Sequence, residues 1–187
     1  MKKKIKELLK ESIDVKNKLI ECQLGEIEKL ALAMLKTIKS GRKILLFGNG
    51  GSAADSLHIA AELVGRFKKE RKALPAIALT ANISTLTALG NDYDFDYIFE
   101  RQVEAFGNKG DMAIGISTSG SSKNVVAGIL KASKMGLKTA ALTGSKKGDL
   151  FKIADLCVRV PSENTPRVQE AHIAIGHIVC ELIEDAL

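Results

Sequence analysis

Apolar residues recur at helical spacing over the first forty residues, and the pattern changes near residue 41. In residues 3–20, Ile5, Leu8, Leu9, Ile13 and Leu19 or Ile20 fall at helical spacing. In 24–39, Leu24, Ile27, Leu30, Ala31, Met34, Leu35 and Ile38 do so more strongly, and Ser40-Gly41 supplies a stop. Two opening helices are expected. Beyond them, short apolar runs alternate with helical stretches: Lys43–Phe47, Ala76–Leu79, Met112–Ile116, Thr139–Leu142 and Leu156–Val160. Runs of four or five residues without polar alternation suit strands covered on both faces, as in a parallel sheet. Helices are expected between them near 53–66, 82–89, 95–106 and 122–135, with a long final one from about 166 to 186. The pattern predicts an α/β fold, an open sheet with helices on both faces plus an N-terminal helical extension. No repeat, low-complexity tract or Pro/Gly linker interrupts it. One domain is expected over 1–187, with helices in 1–40 and the α/β core in 41–187.

Composition narrows the class. The chain is 45% apolar and 27% charged, which excludes wholesale disorder. The longest uncharged run, Ala73 to Asn91, contains Pro75, Asn82, Ser84 and three threonines and is no membrane span. Lys2, Lys3 and Lys4 have no apolar stretch behind them, so no secretory signal is read and a cytoplasmic protein is expected. Cys22, Cys157 and Cys180 are scattered and odd in number, which suits free thiols packed as small hydrophobes.

The net charge of +6 is local. Residues 1–20 carry a net +4, as does the segment Arg66–Lys72, which leaves the remainder at −2. Phe67 is the one aromatic near either patch, so stacking on nucleic-acid bases has no support.

Two loops ask for an anion. The first strand runs into Gly48-Asn49-Gly50-Gly51-Ser52, and a helix follows. Glycines let the backbone approach a ligand, and the helix start offers unpaired N–H groups to a negative charge. The pattern lacks the Gly-Lys-Ser/Thr of a P-loop and the third glycine of a dinucleotide fingerprint. The third strand leads into Ser117-Thr118-Ser119-Gly120-Ser121-Ser122-Lys123-Asn124, with more hydroxyls than one helix cap requires. Such a density makes a phosphate cradle for a small metabolite, with Lys123 adding charge. Both loops follow carboxyl ends of strands, where open α/β sheets bind ligands.

Proton-transfer groups lie on two helices. His58 and Glu62, at i and i+4, sit about 40° apart and ~6 Å along one helix face. In the last helix Gln169 and His177 are about 80° apart and ~12 Å along, while His172 reads as a structural histidine. A His/Glu pair at this spacing serves a metal or acid–base chemistry equally. Gly90-Asn91-Asp92 reads as a turn.

The chain resembles the bacterial phosphoheptose isomerases of the sugar isomerase (SIS) domain superfamily. Six blocks carry the resemblance over nearly the whole length. They are G-N-G-G-S at 48–52, H-x-x-x-E-L-x-G-R at 58–66, L-G-N-D at 89–92, G-I-S-T-S-G-x-S at 115–122, A-L-T-G at 141–144, and V-P-S-x-x-T-x-R-x-Q-E-x-H-x-x-x-x-H at 160–177. The resemblance implies a three-layer sandwich around a five-stranded parallel sheet of flavodoxin-like order. It also implies a homotetramer with active sites at subunit interfaces. The reaction implied converts D-sedoheptulose 7-phosphate to D-glycero-D-manno-heptose 7-phosphate, the first step of ADP-heptose biosynthesis for lipopolysaccharide or other surface glycans. Asn49, Gly50, Gly51, Ser52, Glu62, Arg66, Asn91, Asp92, Ser117, Thr118, Ser119, Ser122 and Gln169 would bind the substrate. Glu62 and His177 would be the acid–base pair, and His58, Glu62, Gln169 and His177 would hold one zinc per subunit. For those ligands to meet, the helix of His58 and the final helix must pack tightly. Rival readings are a non-catalytic relative that binds the replication initiator, and an isomerase of another sugar phosphate. Retention of both Glu62 and His177 speaks for an enzyme.

Overall fold

The computed structural model describes residues 1–187. Its elements are α1 (Lys2–Cys22), α2 (Leu24–Lys39), β1 (Ile44–Gly48), α3 (Gly51–Val64), β2 (Ala76–Ala78), α4 (Ile83–Asp92), a 3-10 turn (Phe95–Tyr97), α5 (Ile98–Phe106), β3 (Met112–Ser117), α6 (Lys123–Lys134), β4 (Lys138–Thr143), α7 (Asp149–Ile153), β5 (Leu156–Arg159) and α8 (Thr165–Asp185). The five strands form one all-parallel sheet in the order β2-β1-β3-β4-β5, the flavodoxin-like order expected. The chain leaves β1 toward β2 on one side and crosses back to β3 on the other. The loops after β1 and β3 therefore emerge side by side at the switch point, where such sheets bind ligands.

Two apolar layers flank the sheet. On one side the sheet residues Ile44, Leu46, Ile114 and Leu142 pack under α1, α2, α3 and α8. On the other, Leu45, Phe47, Ala113 and Ala141 pack under α5, α6 and α7, with Phe47 and Phe99 rings 5.2 Å apart. The opening helices are thus part of a layer, α2 lying against α8 and β5. The central strands β1 and β3 are buried throughout. The edge strands are not, and Ile77 of β2 is exposed, because an edge has a neighbour on one side only.

Several local expectations are corrected. The helix after β1 starts at Gly51, two residues early. The helical stretch at 95–106 is a 3-10 turn followed by α5, with Asp94 accepting from the Asp96 N–H. Gly90-Asn91-Asp92 is no turn but the last turn of α4, whose Leu86 and Leu89 anchor it to the core. The five-residue α7 was not foreseen, because one turn has too few positions to show a period. Of the cysteines only Cys180 is buried, while Cys22 is exposed and its thiol reaches the Lys18 carbonyl.

The basic segment 66–72 is not a free positive patch. It wraps the end of α8, where the buried carboxylate of Glu184 accepts the N–H groups of Phe67, Lys68 and Lys69 and the Arg71 Nε–H at 3.0 Å. Lys68 pairs with Glu181, Lys69 with Asp185 and Arg66 with Glu70. Burial alone would raise the Glu184 pKa, but the three backbone bonds and Arg71 pull it from 4.5 down to about 2. Glu184 therefore adds its full stability above pH 4.5, and the contribution drains away as pH falls from 4.5 toward 2. In Glu184→Gln, thermal unfolding at pH 7 is expected to show a loss of about 2 kcal/mol, a deficit that shrinks below pH 4.5. Equal stability of the two proteins at pH 7 contradicts this role.

Candidate active site

The first loop is shaped by two glycines. Gly50 has φ +56°, a conformation closed to most side chains. Gly51 opens α3 and is overlain by the amide of Gln169, so that a Cβ would run into it. The N–H groups of Asn49 and Gly50 have no acceptor in the chain. Ser52 is buried, with its carbonyl accepting from the Ser56 hydroxyl.

The second loop holds itself together through hydroxyls. Ser117 Oγ lies 2.8 Å from Ser122 Oγ and 3.3 Å from Ser119 Oγ, and Ser121 N–H donates to Ser119 Oγ. Thr118 is tied to the neighbouring strand, its carbonyl accepting from Gly144 N–H at 3.1 Å. The N–H groups of Thr118, Ser119 and Ser122 remain unpaired. Unpaired amides from two adjacent loops, at the starts of α3 and α6, form a place for an anion. Lys123 adds little to it, being exposed and 3.7 Å from Asp96.

Between the loops stands a pair that sequence reasoning missed. Asn49 Nδ2 donates to Asn124 Oδ1 at 2.8 Å and Asn124 Nδ2 donates back to Asn49 Oδ1 at 3.0 Å. Asn124 is 2% exposed. Nothing in the spacing of 75 residues signals this pairing.

The proton-transfer groups meet on the seam between α3 and α8. Gly176 lets the helices close together, since a Cβ there would stand 2.7 Å from Ile59. The ring of His177 then reaches α3. His58 Nε2 is 3.0 Å from Glu62 Oε1 and 3.3 Å from His177 Nε2, and ligating atoms of all three lie within 4.8 Å of one another. Phe67 lies against His177, ring centroids 5.5 Å apart and planes tilted by 37°. Two imidazoles and a carboxylate are a donor set that suits zinc, with room for a further ligand. Gln169, expected as the fourth ligand, is seated instead against Gly51, about 10 Å up the seam from His58 by helical rise.

Asp55 is a second residue that sequence reasoning passed over. On α3 it falls on the same side as Gly51, His58 and Glu62, between the loop and the cluster. Its Oδ2 is buried without a partner, and burial raises its pKa to about 6 against the pull of His58. The i, i+3 spacing to His58 was the available signal. His172, read as structural, is fully buried and bonds the Thr143 carbonyl through Nε2 at 3.2 Å. Burial holds its pKa down at about 4.

Three expected substrate contacts, Asn91, Asp92 and Arg66, are not part of this cluster. Asn91 and Asp92 hydrogen-bond each other on the exposed end of α4. Arg66 lies beyond the far end of α3, about 20 Å from Gly51 by helical rise, facing Glu70 at 3.8 Å.

The SIS domain family model matches residues 7–144. A phosphoheptose isomerase of Aquifex aeolicus is 55% identical over 185 residues, covering 99% of this chain and 97% of that protein. One from Clostridium acetobutylicum is 51% identical over 189 residues, with 100% and 96% coverage. The solved phosphoheptose isomerase of Neisseria gonorrhoeae superposes with a TM-score of 0.93 at 38% identity, covering 98% of each chain. Vibrio vulnificus NanR complexed with ManNAc-6P, at 15% identity and TM-score 0.67, shares the fold alone.

Titration of metal-stripped protein with zinc is expected to show one site per chain. His58→Ala and His177→Ala should each remove it, and Gln169→Ala should weaken it less. Undiminished binding in His58→Ala with His177→Ala combined would dismiss this site.

Proposed function

Because the chain belongs to the phosphoheptose isomerases of the SIS domain family, we propose that it interconverts sedoheptulose 7-phosphate and D-glycero-D-manno-heptose 7-phosphate. The observation that supports it best is a distance. The His58–Glu62–His177 cluster stands about 10 Å along α3 from the amide-lined loops. An extended seven-carbon chain with a terminal phosphate spans roughly 10 Å by covalent bond lengths. A phosphate held by Ser52, Ser117, Thr118, Ser119, Ser122 and the N–H groups of Asn49, Gly50 and Gly51 thus delivers C1 and C2 to the cluster. Gln169 lies at the loop end, against Gly51, where a sugar hydroxyl near the phosphate passes.

In the forward direction Glu62 takes a proton from C1. The electron pair becomes the C1–C2 double bond, and the C2 carbonyl oxygen is protonated to give the enediol. O1 then loses its proton, C1 becomes the aldehyde, and Glu62 returns its proton to C2. One carboxylate reaches both carbons because they are adjacent. His177 serves the oxygens, since an imidazole exchanges protons readily near neutral pH. One zinc per subunit, held by His58, Glu62 and His177 with Gln169 drawn in, would polarise the carbonyl and stabilise enediolate charge.

The active unit is a homotetramer with its sites at subunit interfaces. Three features support this: the cluster lies on the outer side of α3 and α8, exposed Leu57, Val64, Ile178 and Leu182 surround it, and α1 carries a bare stripe of Ile5, Leu9 and Ile13. Arg66, Asn91 and Asp92 then serve a site across such an interface. The product feeds ADP-heptose synthesis in the cytoplasm. No helix is long and apolar enough to cross a membrane.

Purified protein should turn sedoheptulose 7-phosphate into an aldose phosphate and incorporate solvent deuterium at C2. Glu62→Gln is expected to lower kcat by about 10²–10⁴-fold while still binding substrate; near wild-type turnover removes Glu62 as the base. Light scattering should give four times 20.1 kDa, and Leu9→Glu with Ile13→Glu should yield a smaller, less active species. A fully active monomer in solution rejects the interface site.

A further inference from the structure

The β1–β3 ladder ends at Gly48 paired with Ile116. Beyond that register the loop 49–52 and the segment 117–124 are joined by two hydrogen bonds only, both in the Asn49–Asn124 pair. Each amide gives one donor and takes one acceptor, so the two side chains close a ring. The buried position of Asn124 keeps water from competing for it. On either side stand the unpaired N–H groups of Asn49 and Gly50, and of Thr118, Ser119 and Ser122. The free amides of two loops can share one anion only while the loops keep a single spacing.

We propose that Asn124 is a positioning residue for the phosphate end of the site. Its reciprocal pair with Asn49 holds the two loops in register, and Asn49 serves the substrate through its backbone N–H, its side chain being committed to Asn124. The inference rests on the phosphate-at-the-loops reading above and assigns Asn124, a residue that neither touches the reacting carbons nor binds the phosphate itself. Because phosphate binding is common to ground state and transition state, loss of the pair is expected in KM and not in kcat. The neighbouring charge, Lys123, is turned to Asp96 at 3.7 Å.

Substitution by aspartate tests the ring itself. A neutral carboxylic acid at 124 can donate one bond and accept one, and so rebuilds the ring. A carboxylate can only accept, and sets an oxygen against Asn49 Oδ1 whichever way that amide turns. Asn124→Asp should therefore raise KM for sedoheptulose 7-phosphate about tenfold over wild type at pH 8, and by less than threefold at pH 5.5. Asn124→Ala should raise it tenfold at both. The inhibition constant of inorganic phosphate, taken as a ratio to wild type at each pH, should follow the same course. Asn49→Asp probes the same ring from its more exposed side and should behave as Asn124→Asp does, which keeps a readout if the buried variant does not fold.

A ratio near one at both pH values in the aspartate variants overturns the proposal. So does an equal, pH-independent rise in the aspartate and alanine variants, which would mark 124 as a matter of shape alone. If wild type binds phosphate but does not isomerise the heptulose phosphate, the substrate reading falls while the phosphate ratios still decide the role of Asn124.

Discussion

Two parallel helices from distant parts of the chain, α3 and α8, touch at Gly176, where a Cβ would stand 2.7 Å from the Ile59 side chain. This close approach organises the molecule along its length. At the top it lays the Gln169 amide over Gly51. In the middle it brings His177 to His58 and Glu62. At the bottom it carries Glu184 into the loop that follows α3, whose N–H groups would otherwise lack acceptors. A side chain larger than glycine at 176 would force the Ile59 side chain to shift and strain the packing of the seam that joins all three stations.

The sheet supplies the second half of the design. Its switch point places the loops after β1 and β3 side by side, and two glycine-relieved turns leave backbone N–H groups there without acceptors, those of Asn49, Gly50, Gly51, Thr118, Ser119 and Ser122 among them. The resulting field comes from peptide dipoles fixed by the fold, which need no charged side chain to attract a phosphate. Such a field is insensitive to where the lysines of the chain happen to lie. That revises the meaning of the +6 net charge. Of the five bases at 66–72, Arg66, Lys68, Lys69 and Arg71 are answered by Glu70, Glu181, Asp185 and Glu184, and they anchor the end of α8.

The pieces readable from the chain were those with a local signature. A period of 3.6 reports one buried helix face and an unbroken apolar run reports a strand covered on both faces, so the helices, the strands and their alternation could be read within a few residues. The glycine and serine loops were legible because no other reading accounts for so many of those residues after a strand. His58 and Glu62 were legible because a helix fixes their spacing. Asn124, Asp55 and Glu184 were not, because their importance lies in partners, or missing partners, that the local pattern does not encode. Gly90-Asn91-Asp92 misled for the opposite reason: turn-forming residues stayed helical because Leu86 and Leu89 hold α4 to the core.

Sequence by itself determined the α/β alternation, the glycine-rich and serine-rich loops that follow β1 and β3, and the His58–Glu62 pair on one helix face, since each depends on neighbours within a few positions. Only the tertiary structure decided that His177 joins His58 and Glu62 while Gln169 goes to Gly51, that the basic segment is spent on Glu184, and that Asn49 is clasped by Asn124. Those outcomes depend on which distant residue fills a given few ångströms of space. Close packing settles that, and it exists only once the chain has folded.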